Sequence, residues 1–197
     1  MTAIMLAVII VAIAWCAYQA TLWNGIQTFK LRDVNSNSLN FVLKTIQQGQ
    51  YSTVDAMTFI EYVNALHDKK QDLSDFYYER FRPDFKVAVD AWLKTDPLNN
   101  PNAPPHPFAM KEYNRTFALD AQQFAKESEL DLEKAQIANK NSDNYVLMTV
   151  IYSSVLFVGA ILEKLFTRQV RLILLIVALG ITSVATTVVI FMPIAVG

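Results

Sequence analysis

Cysteine occurs once in this chain, histidine twice, and no proline comes before Pro83. Cys16 alone cannot form an intramolecular disulfide, and inside an apolar run it reads as a small packed side chain. Cysteine usage therefore reveals no compartment. A metal centre in a helical bundle calls for several Glu and Glu-x-x-His motifs converging from different helices. Here Glu61 is followed at the third position by Asn64 and Glu112 by Arg115, while His67 and His106 stand outside any His-x-x-x-His spacing. The sequence offers no metal site, no cofactor and no catalytic motif. With 17 basic and 18 acidic side chains and net charge −1 it also lacks the basic patch that nucleic acid requires.

Charge is missing most completely from the two ends. The first 29 residues hold no Lys or Arg, so the apolar run Ala3–Ala20 has no basic n-region and does not read as a cleaved signal peptide. Its Ala12-Ile13-Ala14 triplet is followed by bulky Trp15, which also argues against a lipoprotein reading of Cys16. Towards the other end, Tyr145–Leu162 is free of Lys, Arg, Asp, Glu and His, and so is Leu172–Met192. About 18 apolar residues at a rise of about 1.5 Å cross the roughly 30 Å hydrocarbon core of a bilayer. Backbone groups there must be satisfied within the segment, so helices are expected. The spacing predicts an all-α integral membrane protein with three transmembrane helices, over 1–23, 145–166 and 172–193. A short basic loop, 167–171, joins the last two, and an extramembrane helical domain occupies 24–144.

Trp15, Tyr18 and Trp23 suit a headgroup boundary. Beyond them, Leu22, Ile26, Phe29, Val34 and Phe41, with Leu39 and Leu43, continue the helical spacing to about Gln47, with a disturbance at Asn35–Ser38 and a stop at Gly49. Ser52 or Thr53 then caps a helix ending near Lys70, with Met57, Ile60, Val63 or Asn64, and Leu66 or His67 on its inward rhythm. Asp72 or Ser74 opens another, and Pro83 suits the first turn of Pro83–Lys94. Five prolines make 95–107 a stiff loop. From Phe108 a second long helix is expected to run towards the second span, with Tyr113, Phe117, Ala121, Phe124, Ala125, Ser128, Leu132 and Ala135 facing inward. The picture is a helical hairpin bearing a small helical cap.

Cations set the orientation. Lys164, Arg168 and Arg171 in the short loop point to the cytoplasm, placing the N-terminus inside and the large domain and C-terminus outside. Lys30 and Arg32 argue the other way.

Ala14-Trp15-Cys16-Ala17-Tyr18-Gln19, Phe81-Arg82-Pro83-Asp84-Phe85, Trp92-Leu93-Lys94-Thr95-Asp96-Pro97-Leu98-Asn99-Asn100-Pro101 and Ser142-Asp143-Asn144-Tyr145-Val146-Leu147 are the distinctive phrases. On these the chain resembles a family of small prokaryotic three-span membrane proteins to which no activity is assigned. The resemblance implies the three-span layout and a prokaryotic cell (inner) membrane, and supplies no chemistry.

Two stretches carry the candidate functional residues. Arg82, Asp84, Asp96, Asn99, Asn100 and His106 lie in or near an aromatic, proline-rich knob that could dock a partner. The same residues could simply cap and bridge helix junctions. Thr182, Ser183, Thr186 and Thr187 form a mildly polar stripe beside Ala178 and Gly180, which suits helix packing or a pore lined by copies of the third span. Pathways for ions usually carry intramembrane charge, and these spans have none. Asp68, Asp72, Asp75 and Glu79 would line one face only if a single helix crossed them, and could then attract a hard cation such as calcium. Interleaved Lys69, Lys70, Arg80 and Arg82 favour a solvated, salt-bridged surface instead. Asn114-Arg115-Thr116 matches a short glycosylation sequon. The leading expectation is a non-enzymatic membrane scaffold or accessory subunit that contacts the bilayer and other subunits or copies of itself. A homo-oligomeric channel is the second. A ligand-sensing outer domain with a pocket among Phe59, Phe76, Phe85 and Trp92 is the third.

Overall fold

The computed structural model describes residues 2–97, 99–113, 116–165 and 167–196, with the side chains of 2–3, 116–118 and 162–165 left aside. Leu98, the sequon at Asn114-Arg115, the inward role of Phe117 and any pairing of Glu163 or Lys164 lie outside the described residues and side chains. Five α-helices occur among the described residues, and no strand: α1 Thr2–His67, α2 Gln71–Glu79, α3 Pro83–Leu93, α4 Thr116–Leu165 and α5 Arg168–Ile190, with a 3-10 turn at Pro107–Ala109. Three of them, α1, α4 and α5, contain segments long and apolar enough to cross a membrane.

Three boundaries differ from the spacing argument. α1 does not stop at Gly49 but continues to His67. A lone glycine costs a helix about 1 kcal/mol against alanine, which the turns on either side outweigh. Thr53, expected as a cap, donates instead to the Gly49 carbonyl at 2.9 Å. α4 begins at Thr116 rather than Phe108, because Phe108 and Tyr113 are drawn into an aromatic core. α5 begins at Arg168, so Arg168 and Arg171 sit in its first turn and the connection is shorter than 167–171.

The chain divides into two compact units. The first combines Met1–Asn35 with Ser128–Gly197. Its core is a seam of Ile9, Cys16 and Ala20 from α1 against Tyr145, Met148 and Tyr152 from α4, with Ala178 and Ala185 from α5. Small residues at these positions let backbones approach where lipid supplies no hydrophobic drive. Polar groups in this core are paired. Ser142 donates to the Ala20 carbonyl at 3.0 Å, and the Tyr152 and Thr186 hydroxyls lie 2.9 Å apart. Lys30, read in the sequence as an orientation signal, bonds Asp33 at 2.9 Å and Asp131 of α4 at 3.1 Å. Leu132, expected inward, is exposed, and Ala138 is buried in its place along with Ala135. The charged contact at Asp131 sets that rotation.

The chain leaving α5 turns back onto the first unit. Gln19, 1% exposed, donates to the Ala195 carbonyl at 3.3 Å and accepts from the Ala195 N–H at 2.8 Å. Pro193 offers its carbonyl to the Trp23 indole at 3.1 Å and the Tyr145 hydroxyl at 3.2 Å. Each backbone group bound in this way is satisfied without water.

Gly159 marks a close approach in this unit. A Cβ there would lie 2.7 Å from Leu6 Cδ2, the mobile end of a side chain. Gly159→Ala is therefore expected to displace Leu6 at little loss. Gly159→Leu should overpack the contact and cost about 1–3 kcal/mol. Thermal melting of the two variants in detergent checks the difference, and equal melting would contradict it.

The second unit, Ser36–Glu127, is built on aromatic rings. Phe85 of α3 is fully buried, stacked on Phe108 at 5.0 Å and edge-on to Phe81 at 5.1 Å. Phe59 of α1 meets Trp92 edge-on at 5.2 Å. Such pairs add about 0.5–1.5 kcal/mol each beyond their area. Trp92 also donates to the Pro104 carbonyl at 2.7 Å, pinning the proline loop to the core.

Candidate functional site

Arg82 occupies the N-cap of α3 with Pro83 in the first turn. Its extended backbone lets the side chain reach back to α1, where Nη2 lies 2.8 Å from Asp55 Oδ2. Nε completes a looser second contact at 3.5 Å. Asp55 is 4% exposed, and its other partner is the Tyr113 hydroxyl at 3.2 Å, itself 3.2 Å from Ser52 Oγ. The bond to Asp55 raises the Arg82 pKa further above its ordinary value. Burial pushes the Tyr113 phenol up. A charged pair hydrogen-bonded on several sides is a structural joint between helices. Arg82, expected as a possible partner contact, is thus committed inside the unit, and Asp84, at 3.6 Å from its Nη1, stays exposed.

The loop residues hold each other. Asp96 adopts a left-handed φ of 51° and accepts from the Asn99 amide at 3.0 Å, while Asn100 donates to the Thr95 carbonyl at 3.0 Å. His106, exposed, lies against the Phe108 ring at 5.6 Å. The carboxylate row does not form, because α1 ends at His67 and α2 begins at Gln71. Asp68 pairs with Lys70 at 2.8 Å, and Glu79 with Lys86 at 3.5 Å. Among the described residues no three His, Cys, Asp or Glu side chains converge.

Tyr78 donates to Asp90, and this bond, more than burial, pushes its phenol up to about 12 from an ordinary 10.0. The folded state holds that proton more tightly, so the resulting stabilisation is intact below pH 10 and is lost as pH rises towards 12. Tyr78→Phe is expected to flatten this part of the stability profile. Melting temperatures of wild type and variant across that window check it, and parallel curves would contradict it. Tyr62 and Tyr113, whose phenols burial raises, keep some slope in both proteins.

The hydroxyl stripe of α5 splits between two roles. Thr186 faces Tyr152, and Thr182 and Thr186 donate to the carbonyls of Ala178 and Thr182 at 2.8 Å. Thr187 donates to Ser183 at 2.9 Å, and both stand exposed. Back-bonding of this kind satisfies a hydroxyl in lipid without any water.

No family model, curated protein or solved structure matches this chain. Phe59 packs edge-on against both Phe85 and Trp92, while Phe76 is 46% exposed. The unexpected feature is on α1. Met57 and Ile60, read in the sequence as inward-facing, are 64% and 57% exposed. Asp55, Phe59 and Tyr62 take the buried side instead. The large rings and the Asp55–Arg82 pair set the rotation of the helix, and the smaller apolar residues are left outside. Leu39, Leu43, Ile46 and Val54 are exposed on that same outer face. Between Asn35 and Ile60 the only Lys, Arg, Asp or Glu are Lys44, paired with Asp120 at 3.3 Å, and buried Asp55. The outer face carries no charge over that length. The signal was present in the sequence as this scarcity of charge. Apolar spacing alone assigned those residues to the core.

Proposed function

We propose that the protein is a non-enzymatic integral membrane scaffold or accessory subunit whose extramembrane helical domain makes protein contacts. The supporting observation is the uncharged, apolar outer face of α1 in the second unit. A surface of this kind favours burial against another protein over exposure to water. The knob at Arg82 and the proline loop contribute by holding α3 on α1. On this reading the chain resides in a prokaryotic cell membrane, with Arg168 and Arg171 at the cytoplasmic surface and the second unit on the other side. Isolation from native membranes in mild detergent, with identification of the chains that come along, tests it. Recovery of the chain as a lone monomer that turns over a substrate in an activity screen would overturn it.

The channel reading has one observation in its favour, the exposed Ser183 and Thr187 on α5. Against it, the hydroxyls of Thr182, Thr186 and Thr187 are engaged by their own helix. Liposomes holding the pure protein are expected to show no ion flux. Flux that disappears in Thr186→Leu would reverse the order of the two readings.

A further inference from the structure

The outer face of α1 has a finer pattern than apolarity. Leu39, Ile46, Thr53 and Ile60 repeat every seven residues, and Leu43, Gln50, Met57 and Asn64 stand four residues after each of them. All eight are exposed in the second unit. Alternating steps of four and three over about 38 Å of helix make the seam of a left-handed coiled coil. None of the described residues of the second unit covers it.

We propose that this seam is the interface between two copies of the chain, packed in parallel along α1. The proposal rests on the scaffold reading above and names its partner. Three features select a second copy. First, copies inserted the same way in one membrane are related by rotation about its normal, so their α1 helices run in the same direction and each seam residue meets its own counterpart. Second, each of the two amide side chains of the seam then finds its own counterpart. Gln50 meets Gln50 of the other copy and Asn64 meets Asn64, the arrangement by which a lone polar seam residue fixes register in coiled coils. A purely apolar partner helix would leave both amides unpaired. Third, from Asn40 to Ala56 the flanks are uncharged where identical copies would otherwise repel, and Glu61 is the one charge beside the seam. Val42, Gly49 and Ala56 lie on one side, Asn40, Gln47 and Val54 on the other. A Cβ on Gly49 would meet nothing within 4 Å, so the space beside the seam is open to a close neighbour. The exposed side of α4 in the same unit behaves differently, carrying Lys126 beside Gln122 and Gln123.

Single cysteines test this in the full chain reconstituted in liposomes, on a Cys16→Ala background. A single-cysteine chain can form a disulfide dimer only where a residue meets its own counterpart, which a parallel seam provides along its whole length and an antiparallel one only near its midpoint. Copper-phenanthroline oxidation should give dimers for Ile46→Cys, Gln50→Cys and Met57→Cys, several-fold above Gln122→Cys and Lys126→Cys on α4. Adding Ile46→Glu to Met57→Cys should abolish the dimer while circular dichroism shows the helix content kept. Yields that do not follow the seam, or that survive the added glutamate, overturn the proposal. The same cysteines are then oxidised in native membranes. Cross-linking there to a different chain, with no self-dimer, would overturn self-pairing and leave the scaffold reading standing. No cross-link to any chain in either setting would remove both.

Discussion

Arg82→Ala is expected to destabilise the second unit by about 3 kcal/mol, the lower end of what breaking a buried ion pair costs. The loss comes less from the missing attraction than from Asp55, whose carboxyl would be left at 4% exposure with the Tyr113 hydroxyl as its remaining partner. Arg82→Lys retains a cation but not the planar fork, so it should fall between wild type and alanine. Asp55→Ala should cost a similar amount. The double variant should lose clearly less than the sum, since neither partner is then stranded. Thermal melting followed by near-ultraviolet circular dichroism, dominated by the packed rings, provides the measurement. Additive losses would mean that the pair is not the joint described.

Gln19→Leu should have an effect of the same order in the first unit. It keeps the volume of the side chain and removes both partners of Ala195, leaving a donor and an acceptor in apolar surroundings. Each unsatisfied group costs about 1–3 kcal/mol, so a loss on the order of 2–4 kcal/mol is expected. The returning segment should loosen before the helices do. A Val196→Cys reporter on a Cys16→Ala background would read this directly, reacting faster with a thiol probe when Gln19→Leu is added. Trp23→Phe removes only one of the two bonds to Pro193 and should give a smaller change. Unchanged labelling in Gln19→Leu would show that the amide does not hold the segment.

The large features of the fold were legible because their cause is local. A run such as Leu172–Met192 declares its helix by length and composition alone, and Pro83 declares the start of α3. Other features depend on partners that spacing does not reveal. Arg82 reads equally well as a surface contact or a cap until Asp55, 27 residues earlier, is seen beside it. Gln19 is simply a polar residue in an apolar run until Ala195 arrives at its side chain. The rotation of α1 failed for a related reason. Met57 and Ile60 have helical spacing, and so do Phe59 and Tyr62 two positions on. Ring packing against Trp92 and Phe81 decided between them. Gly49 misled because a stop signal is only a local preference, and this helix had more to gain by continuing.

The division into units also has a temporal side. Residues 36–127 are one uninterrupted stretch, so everything the aromatic cluster requires has been synthesised once that stretch is complete. The other unit draws on segments from both ends of the polypeptide. Gln19 and Ala195 are 176 residues apart, a wait of roughly ten to thirty-five seconds at typical synthesis rates. During that interval the amide of Gln19 sits in a newly inserted helix without its eventual partner. Translation therefore favours an order in which the water-exposed part matures first and the lipid-embedded part closes last.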